Sequence, residues 1–252
     1  MTLFNLMGLL STLALALPII FMGITRLGWY KCFPALMVYF LLLFSHNLTS
    51  LGFVPAAKEV ISYQSLINKL LHAPLMLCFL TYFSQTAAYR KSILVILGVY
   101  LAFEAVVVLI LGPSRNTNTV IMIPGLLIVL FLTTIFCIHY VKLTLVNPKA
   151  LGKLLMIFSI FLAYGVYCFI YVYFFLIDTQ FIQDSKLIYF LLTIISSIVL
   201  SIGLLVERSR VRHLEELHKT REELKALYGD GDTNTAIPFE TAVFKFEKGK
   251  IY

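Results

Sequence analysis

Apolar residues in this chain fall into seven long runs separated by short polar breaks, at approximately 3 to 25, 33 to 54, 66 to 88, 91 to 112, 119 to 145, 150 to 177 and 186 to 206. A bilayer span needs about 20 mostly apolar residues. Backbone polar groups cannot go unpaired in lipid, and runs this long lack the alternation of a membrane barrel strand. The pattern therefore predicts an all-α polytopic membrane protein with seven transmembrane helices. The breaks carry turn formers: Gly28, Pro55, Pro113 with Ser114, and Asn147 with Pro148. Only the segment from Val54 to Gln64 is long enough to be a small element of its own. The first run has no basic segment ahead of it and no small-residue cleavage motif after it, so a retained span is expected, not a signal peptide.

The last run continues without a proline into Glu207 to Tyr228, which is charged and helix-favouring. One long helix is expected over 186 to 228, dividing the chain into a membrane domain (1–206), a cytoplasmic helix (207–228) and a tail (229–252). Between Glu207 and Lys225 lie six basic and five acidic residues. Arg212 with Glu216, and Glu215 with Lys219, have the i,i+4 spacing of a solvated helix. Val206, Leu214, Leu217, Leu224 and Leu227 leave a thin apolar stripe. A solvated anchor and a helix that binds a partner or a second copy both fit this pattern. Gly229 to Thr235 reads as a flexible linker, and Thr241 to Tyr252 as a short strand or hairpin.

Composition reinforces the membrane assignment. Charged residues make up 13% of the chain, against roughly 25% in soluble domains, and the mean hydropathy is +0.91. The net charge of +7 does not point to nucleic acid, because the basic residues lie between apolar runs and no nucleic-acid motif accompanies them. They are distributed unevenly. Arg26, Lys31, Arg90, Lys91, Lys142, Lys149, Lys153, Arg208, Arg210 and Arg212 fall on one side, and Lys58, Arg115 and Lys186 on the other, with Lys69 just inside a span. The bias places the N-terminus outside and the C-terminus in the cytoplasm of a plasma (inner) membrane protein. Cys32, Cys78, Cys137 and Cys168 have no paired spacing and read as buried free thiols. The sequon Asn47-Leu-Thr49 lies inside a span and is out of reach of a transferase.

Ionisable residues inside a membrane are costly and point to function. At about 1.5 Å per residue, His46 lies roughly 12 Å below the outer edge, Lys69 about 5 Å, His72 about 9 Å and Glu104 about 12 Å. Tyr164, Tyr167 and Tyr171 share one face of span six, and Asn47, Thr49 and Asn68 add polar groups nearby. Together they predict an outward-facing polar pocket, with Glu104 offsetting Lys69 or a protonated histidine and the tyrosines as an aromatic wall. Each member also has a structural reading: snorkelling for Lys69, the interfacial belt for Tyr171, a backbone partner for a histidine. In span seven, Thr193, Ser197, Ser201 and Gly203 suggest a helix-packing face, while Pro74 and Pro124 mark candidate kinks.

In architecture, residues 1–228 resemble the seven-helix input modules of bacterial sensor proteins. The resemblance implies a sensor or receptor that binds a small ligand from outside and relays through its last helix. Beyond Tyr228 the sequence leaves no room for a kinase, cyclase or DNA-binding domain, so the expected output is a separate cytoplasmic partner or a second copy, unless the chain is only the input half. An intramembrane hydrolase is the alternative. Seven-helix zinc hydrolases of the progestin-receptor and ceramidase type gather histidines from several spans, and His46, His72 and Glu104 would supply three ligands here. Span seven, however, has no histidine where those families place two. A small transporter is a third reading, although no internal repeat is evident. A retinal protein is excluded because span seven has no lysine in its middle. No cofactor is expected.

Overall fold

The computed structural model describes residues 3–55, 57–112, 115–176 and 182–228. They form seven α-helices: α1 Leu3–Ile24, α2 Phe33–Ser50, α3 Lys58–Leu80, α4 Ala87–Leu111, α5 Arg115–Val146, α6 Leu151–Leu176 and α7 Ile182–Tyr228. Short 3-10 turns follow α1, α3 and α5, and no strand occurs among the described residues. All seven helices are long and apolar enough to cross a membrane. The strand-like tail and the linker lie outside the described residues. The chain divides into two compact units, Met1–Arg208 and Ser209–Tyr252.

The helix limits follow local chemistry. Pro34 stands in the first turn of α2, where its missing N–H leaves no hydrogen bond unmade. The Thr86 side chain caps α4 by accepting from the Tyr89 N–H at 3.3 Å, and Gly112, with φ 64°, ends it. Two expectations need correction. The third helix starts at Lys58, not near residue 66, so Val54 to Gln64 is no separate element. Its first turns are polar, with Lys58, Glu59, Ser62, Gln64 and Ser65, which hides the helix from an apolar window although its backbone closes normally, with Ile61 N–H on Ala57 O at 3.2 Å. The cysteines are free but only half-buried.

From α1 to α6, consecutive helices pack as neighbours, and α3 also packs on α5. Glycines permit the closest approaches. A Cβ on Gly125 of α5 would lie 2.8 Å from the Ala73 Cβ of α3, and one on Gly203 of α7 would lie 2.9 Å from the Met156 backbone nitrogen of α6. The face expected from Ser197, Ser201 and Gly203 is the buried face of α7: the Ser201 hydroxyl turns inward onto Ser197 O at 2.7 Å, and Ser159 of α6 donates to Ser196 O at 2.6 Å.

At one end, Phe33, Phe79, Phe83 and Tyr82 form edge-to-face pairs, and the Tyr140 hydroxyl donates to Phe83 O at 3.0 Å. These contacts bring together the start of α2, the end of α3 and the end of α5. The same end carries Arg26, Lys31, Arg90, Lys91, Lys142 and Lys149, all exposed. In the second unit, α7 residues carry the expected i,i+4 ion pair, Arg212 Nε to Glu216 Oε1 at 3.3 Å. Both side chains are largely exposed, so the pair contributes about 0.3–0.5 kcal/mol.

Candidate functional site

The polar residues expected to share one pocket separate into two layers. Nearer the α2–α3 connection, Thr49 donates to Gln64 Oε1 at 2.8 Å, and Gln64 Nε2 donates in turn to Ser45 Oγ. His46 lies half-buried in this layer, within electrostatic reach of Lys69. The Asn47 amide nitrogen has no hydrogen-bond partner, and Asn68 is buried.

The second layer lies deeper and is built of rings. His72 of α3, 6% exposed, stands between Tyr39 of α2 at 5.0 Å, Tyr164 of α6 at 5.1 Å and Tyr167 of α6 at 5.9 Å, measured between ring centroids. Tyr167 donates to the hydroxyl of Tyr189 on α7 at 2.8 Å. The Tyr164 hydroxyl approaches Tyr39 without reaching hydrogen-bond geometry. Four helices thus contribute one aromatic cluster. Tyr39 precedes His46 by seven residues on α2, about 10 Å of helix, so the two histidines sit at different levels.

Glu104 of α4 lies one helical turn from Tyr100, toward the Leu111 end of α4. It is 6% exposed, and its Oε1 has no hydrogen-bond partner. One turn earlier on α4, Tyr100 donates to Ile121 O of α5 at 3.0 Å and interacts with both Glu104 and Tyr164. Gly125 makes room for it, since a Cβ there would overlap the Tyr100 hydroxyl.

Beside the rings is a cavity of about 40 Å³, lined among others by Tyr39, Tyr164, Tyr167, Tyr189, Thr193 and Ser196. This is room for roughly two or three water molecules. Of the lining residues, Tyr164 has a buried hydroxyl without a hydrogen-bond partner; His72 Nε2 is likewise unpartnered but does not line the cavity. Orphaned buried polar groups of this kind are what a water or a small polar ligand satisfies.

Of the expected residues, His72, Tyr164 and Tyr167 come together, His46, Asn47 and Lys69 form the other layer, and Glu104 is joined to neither but to Tyr100. The Tyr171 side chain lies outside the described residues. The common depth inferred for these groups fails because it assumed that α3 enters at residue 66. The hydrolase geometry fails with it: His46, His72 and Glu104 do not gather, and no three His, Cys, Asp or Glu side chains among the described residues form a metal-binding group.

Sequence reasoning missed Tyr39 and Tyr189, and it also missed a second polar node. Glu207 is 1% exposed and belongs to the first unit, not to the charged helix assigned to 207–228. Tyr82, in the 3-10 turn Thr81–Phe83 that follows α3, donates to Glu207 Oε1 at 2.6 Å. Lys153 Nζ lies 4.8 Å from the Tyr82 ring centroid and 5.7 Å from that of Tyr140. Gly152 of α6 gives Glu207 its space, since a Cβ there would lie 2.9 Å from Glu207 Oε2. Ser197, Leu200, Leu204 and Glu207 follow helical spacing on the buried face of α7, and that phase was the available signal. In comparisons with known proteins, the chain matches no family model, and no curated protein or solved structure shows significant similarity to it.

Proposed function

We propose that this chain is a membrane-embedded sensory module: a small polar ligand enters the ring-lined cavity, and its occupancy is relayed by the last helix to a cytoplasmic protein or a second copy. The observation that carries this reading is the composition of the cavity wall. Tyr189, Thr193, Ser196, Ser197 and Leu200 all belong to α7, the helix whose sequence runs on into the charged segment ending at Tyr228. A ligand there touches the output helix directly, so a preference for one position of α7 biases the equilibrium between positions. The excess of Lys and Arg at one end supports placing that end and the C-terminus in the cytoplasm, and the N-terminus outside a plasma membrane.

Filling the cavity tests the reading without a known ligand. Ala163 lines it, and Ala163→Val adds two methyl groups. Amide exchange across residues 209–228 is expected to change in that variant, but not in Ala102→Val, at an exposed position of α4. Identical exchange in wild type and both variants would remove the link between cavity and output segment.

A further inference from the structure

The reversal between α1 and α2 is held tightly where it meets the bundle and open where it does not. Thr25 donates to Phe21 O at 2.6 Å, Tyr30 N–H to Leu27 O at 2.9 Å and Phe33 N–H to Tyr30 O at 3.0 Å. Leu27 and Gly28 are buried, and a Cβ on Gly28 would lie 2.7 Å from Met37 Sδ. Phe33 is fully buried against Phe79 and Tyr82. Amid these anchors Trp29 is 87% exposed, more than any other large apolar side chain described.

Two basic residues flank it in unusual backbone. Arg26 has φ 57° and Lys31 φ 45°, and they are the only non-glycine residues with positive φ among those described. Arg26 follows the end of α1, where helices commonly place glycine because it adopts the left-handed region without a Cβ clash. This turn keeps a charge at both strained positions. Both side chains are exposed, and Lys31 Nζ lies 5.0 Å from the Tyr30 ring centroid.

What surrounds the turn identifies the partner. Leu6, Leu10, Leu13, Ile20 and Ile24 are exposed at helical spacing along α1, which is the face a bilayer covers, and Trp29 stands at its end. Indole rings favour the headgroup level of a membrane. The exposed charges at this end of the first unit are all positive, since its carboxylate, Glu207, is buried. A soluble anion would leave the indole and the apolar stripe unexplained. We propose that the α1–α2 turn binds an anionic phospholipid, with Arg26 and Lys31 holding the headgroup phosphate and Trp29 seated at the headgroup boundary.

Trp29 is the only tryptophan in the chain, so its fluorescence reports this place alone. The full chain is reconstituted in two sets of vesicles, each four parts phosphatidylcholine to one part phosphatidylglycerol. One set carries brominated acyl chains on the phosphatidylglycerol, the other on an equal amount of the phosphatidylcholine. Surface charge is the same in both, and bromine quenches only nearby indole. Stronger quenching by the brominated phosphatidylglycerol is expected, and the preference should fall roughly fivefold per neutralised charge in Arg26→Gln and Lys31→Gln, and fall in 0.5 M salt. Arg26→Gly combined with Lys31→Gly should lose the preference while raising the melting midpoint, because glycine relieves the left-handed backbone. That result separates headgroup binding from a structural role. Equal quenching by the two lipids would overturn the proposal, as would a preference that survives both pairs of substitutions.

Discussion

Removing one oxygen atom tests whether α7 is tied to the turn after α3 at the basic end of the bundle. Tyr82→Phe deletes the hydroxyl that donates to Glu207 Oε1 at 2.6 Å and leaves the ring under Lys153, 4.8 Å away. The aromatic contact therefore remains, and the change isolates the hydrogen bond. A bond to a carboxylate contributes about 1.5–3 kcal/mol, and one between neutral groups about 0.5–1.5 kcal/mol. Tyr82→Phe should thus cost about 2 kcal/mol in the wild type and about 1 kcal/mol beside Glu207→Gln, a coupling of about 1 kcal/mol. Glu207 is almost fully buried, so water cannot readily replace the lost donor. Thermal unfolding of the four proteins in one detergent, followed by circular dichroism, should place Tyr82→Phe about 4–8 °C below wild type. A cost below about 0.5 kcal/mol, or equal costs in both backgrounds, would refute a carboxylate held by Tyr82.

Two shorter predictions accompany it. Gly125→Ala should destabilise by about 1–3 kcal/mol through overlap with Tyr100 and Ala73, whereas Gly98→Ala, with open space around it, should be neutral or stabilise by up to about 1 kcal/mol; thermal unfolding measures both. In a background free of native cysteines, single cysteines at Asn116 and Asp230 should label from opposite sides of the membrane, and labelling from the same side would overturn the proposed orientation.

The architecture was legible because an uninterrupted apolar run of about 20 residues leaves the backbone one way to satisfy itself in lipid. The start of α3 was not. Its first turns carry Lys58, Glu59, Ser62 and Gln64, and an apolar window cannot distinguish a polar helical turn from a loop. The error of eight residues moves Lys69 and His72 by about 12 Å along the helix, enough to place two layers at one depth. Tyr39 and Tyr189 escaped notice for another reason. A tyrosine within an apolar run gives the same signal whether it packs in a core or lines a cavity, and only contacts between helices tell the two apart. Glu207 was a matter of phase: its charge suggested solvent, while its spacing from Leu200 and Leu204 placed it on the buried face.

The position of Glu207 bears on how a signal would travel. The cavity wall and the Glu207 node occupy the same face of α7, with Thr193 and Ser196 at one level and Glu207 about three turns away. Between them α7 packs closely on α6, with Gly203 against Met156 and the Ser159 hydroxyl on Ser196 O. One restraint on that face is the carboxylate bond to Tyr82, at about 1.5–3 kcal/mol. Allosteric couplings between sites have a similar size, about 1–3 kcal/mol. A ligand that prefers the displaced α7 by that much could release the node, and one that binds both positions equally could not, however tightly it binds. On the proposed reading, Tyr82→Phe therefore does more than lower stability. It should shift α7 toward the displaced position without ligand, so amide exchange across 209–228 should change in the same direction as a ligand would drive it. Loss of stability with unchanged exchange there would leave Glu207 a structural anchor and separate it from the relay.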